Sequence, residues 1–108
     1  MELKQIIDRA AEIKEKYHEL ERKKYGKTWT NAQIMEGFVV DIGDLMKIIM
    51  AKDNLREMEN IEEKLEHELA DCLYSICVLS HKYNVDLEKA FLKTMDYQEK
   101  QIADGKEE

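Results

Sequence analysis

Apolar residues recur at helical spacing in four separate runs. The first places Leu3, Ile6, Ile7, Ala10, Ile13, Tyr17 and Leu20 on one face and Lys, Glu and Arg on the other. That spacing predicts an amphipathic helix over roughly residues 3–24 with a solvated outer side. Lys23 and Lys24 suit its C-terminal dipole, and Gly26 supplies the stop. "TWTNAQ" opens a second helix, with Thr30 and Gln33 spaced as a capping box. It runs to about Lys52, carrying Ile34, Phe38, Ile42, Leu45 and Ile49 as a stripe that Val39, Met46 and Met50 widen. After "KDNLREMEN", Asn60 and Glu63 repeat the box and start a third helix that reaches about Tyr83. Asp86 caps a fourth, with Val85 and Ala90 spaced as a hydrophobic staple and Leu87, Phe91, Met95 and Ile102 along its face. This helix ends near Gly105, and residues 104–108 form a frayed tail.

No stretch alternates with a strand period, repeats itself or reads as a linker. The expected fold is all-α, a single four-helix, bundle-like domain over residues 1–108. The third helix is apolar on too many sides for a lone chain. Leu65, Leu69, Cys72, Ile76 and Leu79 form one stripe, and Leu73, Cys77 and Ser80 form another. A helix apolar on most sides is buried on most sides, so a homo-oligomer is expected.

Composition narrows the partners. Charged residues make up 38% of the chain and Pro is absent, which suits helices joined by short connections. A net charge of −7 disfavours a duplex nucleic-acid backbone, though not a small anion carried with a metal. No run approaches the ~18 apolar residues of a membrane span. "MELKQIIDRAAEIKEKY" lacks the basic start and apolar block of a secretory signal. Cys72 and Cys77 lie five apart on one helix, face different ways, and read as reduced thiols of a cytoplasmic protein.

Four acids interrupt the apolar runs. Glu68 and Asp71 stand within "HELADCLYSICVL", and Asp41 and Asp44 within "VVDIGDLMK". Residues three apart share a helix face, with Cβ atoms about 5–6 Å apart. One such pair is ordinary surface decoration. Two pairs set in apolar sequence on successive helices can meet if those helices pack antiparallel. Four carboxylates at close range repel and lose hydration, a cost that a hard divalent cation removes. Mg²⁺ takes oxygen ligands and keeps room for water and substrate phosphates. Gly43, between the two aspartates, costs about 1 kcal/mol inside a helix, and close approach of a backbone or ligand would justify it. "HELAD" also contains half of a zinc motif, but Asp71 stands where HExxH has its second histidine, so His67 reads as a supporting or surface residue. Cys72 has no basic partner on its face and reads as core. No GxxxxGK[ST] loop is present.

The segment "HELADCLYSICVLSHKYNVDLEKAF" resembles the all-α nucleoside triphosphate pyrophosphohydrolases of the MazG type, which pair an ExxE on one helix with an ExxD on the next. The resemblance covers roughly residues 28–98, with "DIGD" standing where the family usually has glutamates. It implies Asp41, Asp44, Glu68 and Asp71 as ligands of Mg²⁺ (or Mn²⁺), with Glu68 and Asp71 catalytic. It also implies hydrolysis of a nucleoside triphosphate to a monophosphate and pyrophosphate, in the manner of enzymes that remove non-standard nucleotides; the apolar third helix and the short chain make a homodimer or a tetramer built from dimers the expected assembly. Lys93 and Gln98 stand near where the family sets a lysine and an amide against the substrate. Trp29 resembles an aromatic placed before the second helix, where it could stack on a base or act as an apolar lid. Lys47 could reach a phosphate or balance surface acid. A phosphoribosyl-ATP pyrophosphatase, a dimeric dUTP hydrolase and a catalytically silent helical interaction module are the alternatives on the same scaffold.

Overall fold

A computed structural model covering residues 1–108 contains α-helices and no strands. The helices are α1 (Leu3–Tyr25), α2 (Asn31–Lys52), α3 (Ile61–Lys82) and α4 (Leu87–Ala103). No helix is long and apolar enough to cross a membrane.

Local chemistry sets most of the boundaries. Gly26 ends α1 in the left-handed region at φ 72°, its N–H donating to the Arg22 carbonyl. The Thr30 hydroxyl accepts from the Gln33 N–H at 3.2 Å, and the Thr30 N–H donates to Gln33 Oε1 at 2.9 Å. The capping box expected there is formed. Asp86 likewise accepts from the Lys89 N–H at 3.1 Å. The box expected at Asn60 and Glu63 is not formed. Asn60 is itself left-handed, at φ 54° and ψ 43°, and makes no side-chain cap bond. An N-cap side chain reaches the first-turn N–H groups from extended backbone, which Asn60 does not have.

α3 is the central helix, with α1 and α2 packed against it. Ala10, Ile34, Cys77 and Val78 form the small core where the three meet, flanked by Ile6, Ile7, Tyr74 and Leu79. Lys52 pairs with Glu62 near the connection, and Asp41 and Asp44 meet Glu68 further along, so α2 and α3 run antiparallel. α4 stands apart. None of its residues is buried, and Phe91 and Leu92 are more than half exposed.

This shape leaves much apolar surface uncovered. A compact monomer of 12.8 kDa exposes about 6,300 Å², whereas this chain exposes 8690 Å². Its radius of gyration is 17.1 Å, against about 13 Å for a compact domain of this length. α2 explains part of the excess. Its inner side, with Ile34, Phe38, Leu45 and Ile48, turns toward the rest of the chain. One residue round the helix, Met35, Val39, Ile42, Met46 and Ile49 form a second stripe, each between 41% and 58% exposed. Leu69, Leu73 and Ile76 do the same on α3. Both stripes step by four and three residues, the spacing of helices that pack lengthwise.

Candidate functional site

The acid pairs of α2 and α3 come together. Single carboxylate oxygens of Asp41, Asp44 and Glu68 all lie within 4.8 Å of one another. The aspartates, one methylene shorter than glutamate, therefore still reach Glu68. Asp71 joins through Glu68 and His67, whose three ligand atoms meet the same limit. His67 Nε2 lies 3.0 Å from Asp71 Oδ2, on an otherwise exposed imidazole.

The electrostatics fit acids crowded together. Burial, then the charges of Asp41, Asp44 and Asp71, push the Glu68 carboxyl above its usual range, and His67 only partly offsets them. Asp41 is raised in the same way, by burial and then by Asp71 and Asp44. Glu68 Oε2 is buried and has no hydrogen-bond partner. A buried carboxylate oxygen left unsatisfied is costly, and a cation held by these four acids would satisfy it. The donor set is all oxygen, as Mg²⁺ and Mn²⁺ prefer.

A cavity of about 540 Å³ adjoins the cluster. Asp41 and Asp71 line it, together with Lys14, Trp29, Tyr74 and Ser75. That volume falls within the range of about 300–1,000 Å³ typical of small-molecule sites. Glu21 secures the α1 side. Its Oε1 accepts from His18 Nδ1 at 3.2 Å and from the Trp29 N–H at 3.1 Å. His18 Nε2 in turn accepts from the Lys82 ammonium at 3.0 Å, which assigns the ring proton to Nδ1. Burial alone would raise the Glu21 carboxyl, but the hydrogen bonds from Trp29 and His18, with the charge of Lys14, bring it below its usual range. Tyr74, its hydroxyl buried without a partner, is pushed up to about 12, chiefly by burial, so it stays a phenol.

The remaining candidates are divided. Trp29 stands in the cavity wall. Lys47, more than half exposed, lies 3.9 Å from Asp44 and shares a second hollow with Asp44, His67 and Glu68. Lys93 and Gln98, on α4, are not brought to the carboxylates in a single copy; each lines a separate surface hollow. Gly43 is not the point of close approach that its position suggested, since a Cβ there would meet nothing within 4 Å. Gly37 is: a Cβ there would sit 3.2 Å from Trp29 Cζ3. Cys77 is fully buried, and burial raises both thiols, Cys72 also by neighbouring acids, so neither is an activated nucleophile.

Lys14, His18 and Glu21 were not expected in the site, because α1 reads as apolar on one face and solvated on the other. The signal that could have found them was their register. Ile7, Ala10, Lys14, His18 and Glu21 follow one another by three or four, so the polar residues continue a core stripe. No known protein family matches the chain, and neither curated proteins nor solved structures yield a match.

Proposed function

We propose that the chain is a divalent-cation-dependent nucleotide pyrophosphohydrolase of MazG-type fold, converting a nucleoside triphosphate to a monophosphate and pyrophosphate. The observation that carries this reading is that two groups of metal-ligating side chains, Asp41–Asp44–Glu68 and His67–Glu68–Asp71, share Glu68, while Asp41 and Asp71 line a cavity of about 540 Å³. Asp41, Asp44, Glu68 and Asp71 would hold Mg²⁺ or Mn²⁺. Bound there, the cation would neutralise charge on the triphosphate and on the leaving pyrophosphate. Glu68, the longest of the four acidic side chains, is the candidate ligand and base for the attacking water. Cleavage between the α- and β-phosphates comes from the resemblance around "ELAD", not from the carboxylates.

The working unit is a homodimer or a tetramer of dimers. The surface in excess of a compact monomer, about 2,400 Å² by the scaling above, exceeds the ~800 Å² per partner of a standard interface. The outer stripes of α2 and α3 lie on neighbouring helices and offer a second copy a ready face. The same stripes also suit a catalytically silent oligomerisation module, which would release no pyrophosphate with any metal. A panel of nucleotides would separate a general hydrolase from a phosphoribosyl-ATP or dUTP enzyme.

Running the reaction with Mg²⁺ in ¹⁸O-labelled water tests the chemistry. The label is expected in the nucleoside monophosphate. Labelled orthophosphate beside a nucleoside diphosphate would overturn the cleavage site, and no product with either Mg²⁺ or Mn²⁺ would overturn the enzyme.

A further inference from the structure

We propose that Lys14 is the specificity-determining residue of this site, its ammonium donating to an exocyclic carbonyl oxygen of a nucleobase bound beside Trp29. The proposal rests on the reading of the cavity as a nucleotide site and adds the class of base that it takes.

Lys14 is only 8% exposed as a residue, and its ammonium, which lines the cavity, forms neither an ion pair nor a hydrogen bond with the protein. Its neighbour is the ring of Trp29, 5.1 Å from the ammonium to the centroid. Glu21 attracts it, but that carboxylate is already committed to His18 and to the Trp29 N–H. Lys82, held on the far side of His18, repels it. A lysine is rarely this buried without a protein partner, and here the ammonium reaches only the cavity. Desolvation accordingly lowers its pKa. The side chain thus lacks a protein partner and lines a cavity large enough for a nucleoside. A ligand that enters the cavity supplies the missing partner.

An ammonium offers donors and no acceptor, so that partner is an oxygen or another acceptor. Two parts of a nucleotide could provide it, the base or the phosphates. The phosphates belong at the other end, with the cation held by the acid cluster. Lys14 makes no ion pair with Asp41 or Asp71, the acids that line the same cavity, and stands over the Trp29 ring instead. Beside Lys14 lies the indole, a surface suited to a flat base. Uracil, thymine, cytosine and guanine carry an exocyclic oxygen that projects beyond the ring, whereas adenine carries none and accepts only through its ring nitrogens. A site built to hydrogen-bond a substrate group rejects an analogue that lacks it, because the buried polar group is left unpaired.

The test compares wild type with Lys14→Met, which keeps the apolar stem and removes the charge. Binding of UMP, CMP, GMP and AMP with Mg²⁺ is measured by calorimetry, and pyrophosphate release from the four triphosphates is measured alongside. Wild type is expected to bind the oxo-bearing monophosphates at least about tenfold more tightly than AMP, the scale of one charged hydrogen bond. Lys14→Met is expected to bring the affinity ratio of the oxo-bearing monophosphates to AMP down to about one and to melt at a higher temperature. An equal loss for all four nucleotides would mean that the lysine grips phosphate, and would overturn the proposal. A lower melting temperature would mean that the ammonium serves the fold, and would overturn it as well. Pyrophosphate release without a base preference sinks this inference alone. A Lys14-dependent base preference without pyrophosphate release sustains it and removes the hydrolase reading.

Discussion

Glu68→Gln is expected to lower pyrophosphate release by roughly 10³-fold, the upper end for removing one group that acts on a reacting centre, and to stabilise the metal-free protein. The two effects have one cause. Glu68 sits among Asp41, Asp44 and Asp71, with one oxygen buried and unpartnered. Gln keeps the shape but carries no charge, so it can neither hold a cation strongly nor take a proton from water. The Glu68 carboxyl is raised in the folded state, so the fold binds this proton more tightly than the unfolded chain does. The ionised group therefore destabilises the fold above the raised pKa, and this cost vanishes below the ordinary carboxylate value of about 4. Wild type should lose melting temperature relative to the variant as pH rises from about 4 toward neutrality. At neutral pH the gap is expected to be roughly 4–8 °C for each kcal/mol removed. Mg²⁺ should reverse the order by stabilising wild type alone. A metal-free variant that melts below wild type at neutral pH would refute the account of the cluster.

Ile42→Asp combined with Leu73→Glu is expected to dissociate the protein to monomers. Each position lies within an outer stripe, on α2 and α3 respectively, and each is about half exposed in one copy. An interface covering these stripes would bury two unpaired carboxylates. At roughly 2 kcal/mol for each central residue, the dissociation constant should rise about 10³-fold. The melting temperature of wild type should climb with protein concentration, and that of the double variant should not. A monomeric mass for wild type by light scattering at micromolar concentration would dispose of the oligomer.

The acid cluster was legible because charge inside an apolar run is conspicuous. Asp41, Asp44, Glu68 and Asp71 break stripes that Leu or Ile could have continued, and their spacing fixes which face they share. The helices were legible for a similar reason, since Thr30, Asp86 and Gly26 each act within one turn of chain. Asn60 failed because its role depends on how the connection from α2 bends, and no local residue reports that. The sorting of α2 into stripes failed differently. Reading Ile34 and Ile42 together treated as one face what the fold divides into an inner and an outer side. Pattern shows that a helix is apolar over much of its circumference, but not which half its own chain will cover. Lys14 is not legible in the sequence, because a lysine beside glutamates reads as solvated and only the packing of α1 against α3 buries its stem.

Trp29 is the only tryptophan in the chain, and it forms part of the cavity wall. Its ring lies beneath the Lys14 ammonium and reaches close to Gly37. Indole emission responds to nearby charge and to quenching by a stacked base, so the intrinsic fluorescence of this protein comes almost entirely from the surroundings of one ring. Titrating wild type with nucleotide should change its emission without any attached dye. Gly37→Ala should shift the starting spectrum before any ligand is added, because the new methyl would crowd the ring from the α2 side. The protein thus carries a built-in optical reporter of cavity occupancy.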